Sequence, residues 1–95
     1  MTIHIEGRRW FQKTYGNTYN TVRIFRDGEL IANLPMEYGY GDYWLQRAQK
    51  WLGENGYPDL AERHENGMPK VFPTIWLRDY GHSYSVTDVQ RKRDL

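Results

Sequence analysis

The chain has 95 residues, 39% of them hydrophobic at a mean hydropathy of −0.88, which allows one domain, 1–95, around a single modest core and excludes a second catalytic domain. Aromatic residues make up 16%, and Trp10, Trp44, Trp51 and Trp76 supply the large apolar surfaces that a disordered chain lacks. A net charge of +1 disfavours nucleic acid as a partner, and the absence of cysteine removes disulfides, thiolate nucleophiles and Cys-based zinc or iron–sulfur sites, which fits a reducing cytoplasm.

The opening "MTIHIEGRRW" has no apolar stretch long enough for a signal peptide, and no run of about 18 apolar residues occurs, so a membrane is not among the expected partners. "TIHIEG" alternates apolar and polar residues, and "TVRIFRDGELIANL" keeps the same period of two around Asp27-Gly28, a dipeptide that favours a tight hairpin. Gly16-Asn17 marks a second turn, so residues 2–34 read as a three-stranded antiparallel meander that Pro35 should stop. From Asp42 the period changes. Trp44, Leu45, Ala48, Trp51 and Leu52 form the stripe of an amphipathic helix over about 42–54, with Asp42 as N-cap and Gln46, Arg47, Gln49 and Lys50 on the other face. "PDLAERHENG" allows one short helical turn, and "KVFPTIWLRDYGHSYSVTDV" reads as two more strands hinged at 79–82. The expected fold is therefore α+β: an antiparallel sheet, made of a β-meander plus a C-terminal hairpin, with one amphipathic helix packed on one face. The other face of that sheet is left uncovered.

Seven of the eight tyrosines fall in "YGNTY", "YGYGDY" and "YGHSY", which makes those stretches the first candidates for function. One explanation is local: glycine supplies positive φ at turns, and Tyr and Thr favour strands, so the echo of "YGNTYN" in "YGHSYS" is two similar hairpins. The other is a ligand, because tyrosine rings stack on bases while Asn, Thr and Ser bond ribose or phosphate. Arg8, Arg9 and Arg23 on the flanking strands would meet phosphate, unless they simply protect a sheet edge. On the ligand reading Tyr15, Tyr19 and Tyr84 frame the guest and Asn17 and Asn20 read its polar edges. His4, His64 and His82 lack metal-ligand spacing, and no nucleophile, base and acid line up, so neither an enzyme nor a cofactor is expected.

Charge is uneven, summing to +4 over residues 1–26, −5 over 27–65 and +2 over 66–95. Such a bipolar surface suits an anion on one side or head-to-tail self-association, so a homo-oligomer is a candidate state. Together, "RRWFQKTYGNTYNTV", "YGYGDYW" and "YSVTDVQRKRDL" resemble small proteins encoded by bacteriophages and prophages, which share Arg-Trp-Phe, Gly-Asn-Thr-Tyr, Tyr-Gly-Tyr-Gly-Asp and Asp-Val-x-Arg-Lys motifs. The resemblance spans most of the chain, least at 57–75, and implies a host-cytoplasm setting rather than an activity. Where such proteins carry His after Gly-Asn-Thr-Tyr, this chain has Asn20, so no imidazole role carries over. Several phage accessory families sequester a nucleotide signal of host defence, and by that analogy the expectation is a non-catalytic binder of a small phosphorylated nucleotide. The alternative is an accessory or inhibitor protein that acts by binding another protein.

Overall fold

A computed structural model describes residues 2–95. Strands β1 (Ile3–Gln12), β2 (Asn17–Arg26) and β3 (Glu29–Tyr38) are followed by helix α1 (Tyr43–Glu54), a 3-10 turn at Pro58–Ala61, helix α2 (Pro73–Asp79), strand β4 (Ser83–Val89) and a last turn at Lys92–Asp94. The strands form one sheet in the order β3-β2-β1-β4, with β1–β2 and β2–β3 antiparallel and β1–β4 parallel. The fold is α+β with a mixed sheet.

The meander follows its turn chemistry. Asp27 and Gly28 both take positive φ, 49° and 82°, which lets a two-residue turn match the twist of β2 and β3. Gly16, at φ 68°, closes the β1–β2 loop by donating its N–H to the Gln12 carbonyl at 2.8 Å. Pro35 does not stop β3, which runs on to Tyr38. The register shifts between Asn20 and Val22 at this place, and a bulge on an edge strand tolerates a residue that cannot donate to the ladder.

Alternation along the strands sorts the residues to two faces. Ile3, Ile5, Val22, Ile24 and Ala32 point to the side on which α1 and α2 lie, and there they pack against Trp44, Leu45, Ala48, Leu52, Trp76 and Leu77. Gly7 belongs to the same row. A Cβ there would overlap the Trp44 indole, so the missing side chain is what lets α1 lie close against β1.

Three expectations need correcting. Residues 73–79 are helix α2, not a strand, with Pro73 at the first helical position, where its missing N–H costs nothing. "YGHSY" is accordingly a helix end: His82 donates its N–H to the Leu77 carbonyl at 2.7 Å and Gly81, at φ 73°, to Arg78 at 3.3 Å, which is a Schellman cap. The chain thus re-enters the sheet beside β1 running parallel to it, so there is no C-terminal hairpin and the sheet is not wholly antiparallel. Two adjustments concern α1. Asp42 occupies the N-cap position without a side-chain cap hydrogen bond, and Gln49, expected outside, is buried, donating from Nε2 to the Leu60 and Val71 carbonyls at 3.1 and 2.8 Å.

Candidate functional site

The sheet face opposite the helices carries β1 residues His4, Glu6, Arg8 and Trp10 beside β2 residues Phe25, Arg23, Thr21 and Tyr19, paired in that order. On β4 the matching neighbours are Ser83, Ser85, Thr87 and Val89. Neither α1 nor α2 lies on this face; the last turn, Lys92–Asp94, borders it at Arg8, and the side chains of the face are exposed or half-buried.

At one end the rings form a continuous row across three strands. Trp10 stacks on Tyr19 with centroids 5.7 Å apart and planes at 27°, Tyr19 meets Tyr38 edge-on at 5.9 Å, and Tyr38 meets Tyr40 edge-on at 5.2 Å. The row is tied down at its rim. The Tyr40 hydroxyl donates to the Gly16 carbonyl at 3.4 Å, and the Gly39 N–H donates to the Thr18 carbonyl at 2.9 Å. A hydrogen bond to Tyr40 holds the Tyr38 phenol above its ordinary pKa.

Next to the rings lies a charged stretch. Arg8 donates from Nε to Glu6 at 3.1 Å and from Nη1 to the Asp94 carbonyl at 3.1 Å, and Arg23 stands 3.8 Å from the same Glu6 carboxylate. With Arg93 and the hydroxyl-bearing Ser85 and Thr87, Arg8 lines a shallow cavity of about 430 Å³. At the far end His4 bridges two serines, its Nδ1 2.7 Å from Ser83 Oγ and its Nε2 3.3 Å from Ser85 Oγ. A serine, not a carboxylate, occupies the position that would orient a catalytic imidazole.

Of the eight residues singled out in the sequence, Arg8, Asn17, Tyr19 and Arg23 share this open face. Arg9, Asn20 and Tyr84 do not, because in this register they point to the helix side. Arg9 forks onto Asp88 at 2.7 and 3.2 Å. Asn20 is buried beneath Arg47, which donates to its Oδ1 at 2.8 Å, and Tyr84 leans on Trp44. Tyr15 is exposed at the Gly16 turn. The expected convergence of the two echoing turns fails within one chain: Asn17 pairs with Gln12 and Tyr84 with Ile5, which puts them about 23 Å apart along β1 at roughly 3.3 Å per residue. What does converge is "YGNTY" with "YGYGDY", through Tyr19, Tyr38 and Tyr40.

Ser85, expected beside ribose or phosphate, lies on this face, and Trp10, Tyr38, Thr87 and Arg93 join it without having been singled out. Trp10 was recoverable, since the Gly16 turn sets the β1–β2 register and alternation then puts it on one face with Tyr19.

Elsewhere, α1 and β3 form a second groove of about 370 Å³ containing Arg47, Lys50 and Trp51. Arg47 is already engaged there, with Nε 3.2 Å from Glu37, whose other oxygen accepts the Tyr43 hydroxyl at 2.6 Å. Among the described residues no group of three or more His, Asp or Glu side chains is placed to hold a metal ion, and no helix is long and apolar enough to cross a membrane.

Comparison with known families, characterised proteins and solved structures gives no match. Function must be argued from the face itself.

Proposed function

We propose that the open sheet face binds a small phosphorylated nucleotide, with the base on the Trp10–Tyr19–Tyr38 row and the phosphate at Arg8. The observation that carries this reading is the juxtaposition on one uncovered face of stacked aromatic rings and a guanidinium two residues along the same strand. Stacking on aromatic side chains contributes about 1–3 kcal/mol per base, and a paired guanidinium can exchange its carboxylate partner for phosphate. Ser85 and Thr87 supply hydroxyl donors beside it.

The charge favours a small ligand over a polymer. Arg8, Arg23 and Arg93 face Glu6 and Asp94, which leaves one positive charge, whereas binding along a nucleic-acid strand requires many phosphates to be neutralised. In the bacteriophage setting that the sequence resemblance implies, such a protein would act in the host cytoplasm by holding a nucleotide signal of host defence, a role that needs no catalytic group. A second reading, binding of another protein, draws on Leu30, Met36 and Tyr38, which stand exposed on β3.

Calorimetry against a panel of cyclic and linear nucleotides tests the first reading. A member of the panel should bind more tightly than millimolar, and Trp10→Ala or Arg8→Gln should each weaken it by about 5- to 150-fold, the equivalent of about 1–3 kcal/mol. No binding tighter than millimolar, together with a co-purifying protein, would favour the second.

A further inference from the structure

We infer that β4 is the seam of a homodimer, in which two copies pair antiparallel through this strand about a two-fold axis at Val86 and join their sheets into one of eight strands. The two edges of the sheet are differently equipped. β3 carries Pro35, two register shifts and the charge of Glu29, devices that keep an edge from pairing. β4 carries none of them. Its seven residues, "SYSVTDV", include neither proline nor a basic side chain, its single charge, Asp88, is held by Arg9, and every residue from Ser83 to Asp88 is exposed. It bonds to β1 on one side and, among the described residues, to no strand on the other. Such a strand presents unpaired N–H and C=O groups as a template for another strand.

The strand is also complementary to itself. Among two-fold registers only the one centred on Val86 pairs all seven residues. It sets Val86 against its own copy and Ser85 against Thr87, hydroxyl side chains that hydrogen-bond across strands. Tyr84 of one copy faces Asp88 of the other, so no like charges oppose one another. On the helix side Tyr84, Val86 and the nearby Ile75 of α2 are exposed and apolar, and the pairing would cover them. On the open side Arg8 of each copy is separated from Glu6 of the other by a Ser–Thr pair, beside the Lys92–Asp94 turn. This inference does not depend on the ligand reading.

Sedimentation and cysteine cross-linking test it. The protein should sediment at twice 11.4 kDa, and Val86→Lys, which puts like charges on the axis, should sediment at 11.4 kDa with an unchanged circular dichroism spectrum. Leu30→Lys on the β3 edge should leave the dimer intact. The native chain has no cysteine, so Val86→Cys gives a single thiol that meets its own copy; it should oxidise to a disulfide-linked dimer, while Leu30→Cys should not. If Val86→Lys fails to fold, the cross-link decides. A monomer at millimolar concentration, a dimer lost in Leu30→Lys but kept in Val86→Lys, or a Val86→Cys chain that does not cross-link would overturn the inference.

Discussion

Replacing Gly7 by alanine probes the contact on which the packing of α1 against the sheet rests. The added methyl would overlap Cδ2 and Cε3 of Trp44, and neither partner has room to give. Gly7 sits in mid-strand, paired with Val22 on one side and Val86 on the other, and the Trp44 side chain is 1% exposed. Overpacking of this kind costs about 1–3 kcal/mol, and a fully buried ring between two secondary-structure elements argues for the upper end. In a domain of this length each kcal/mol lowers the melting temperature by about 4–8 °C, so Gly7→Ala should melt roughly 12–24 °C below the native protein. Far-UV circular dichroism during heating measures this. Near-UV dichroism reports whether the indole has lost its fixed environment. Adding Trp44→Leu to Gly7→Ala should cost less than the sum of the two single changes, because the smaller side chain relieves the overlap. A melting temperature within about 4 °C of native for Gly7→Ala, or strict additivity in the double variant, would refute this account of the packing.

Two further predictions concern buried polar groups. Gln49→Leu removes the donor that Val71 accepts and one of two that Leu60 accepts, since Arg63 also donates to Leu60, so it should lower the urea midpoint by the equivalent of about 1–3 kcal/mol at unchanged m; an equal or higher midpoint would contradict the role assigned to Gln49. His82 accepts the Ile3 N–H on Nδ1 at 3.0 Å and lies against Trp76, and burial lowers its pKa below the ordinary 6.5. The unfolded chain therefore binds its proton first, so stability is complete above about pH 6.5 and falls as pH drops from there toward the native value. Unfolding free energies measured between about pH 7 and 5 should show this slope, and His82→Gln should flatten it; an equal slope in the variant would assign the effect to other groups.

The parts of the fold legible in the sequence were those with strong local signals. Alternation placed β1, β2 and the start of β3, Asp27-Gly28 marked their tight turn, and the Trp44–Leu52 stripe placed α1. The segment from Pro73 to Asp79 was not legible, because its residues serve two structures equally. "PTIWL" is rich in β-branched and aromatic side chains, and a helix of seven residues buries only Trp76 and Leu77, too few to display a helical period. Once α2 is read as a strand, Gly81 becomes a hairpin turn instead of a helix cap, and β4 acquires the wrong direction and the wrong neighbour. The same error placed Tyr84 at the site. Arg8, Tyr19 and Arg23 fall together on the open face because their positions depend only on the β1–β2 register, which a local turn sets.

The claim that the open face receives a nucleotide is tested most directly by amide and indole NMR shifts during titration with the tightest-binding member of the nucleotide panel. The account predicts that shifts concentrate at the Trp10 indole and at Arg8, Tyr19, Tyr38, Ser85 and Thr87, with the Trp44, Trp51 and Trp76 indoles unmoved. Shifts gathered instead around Arg47, Lys50 and Trp51, in the groove between α1 and β3, would contradict it.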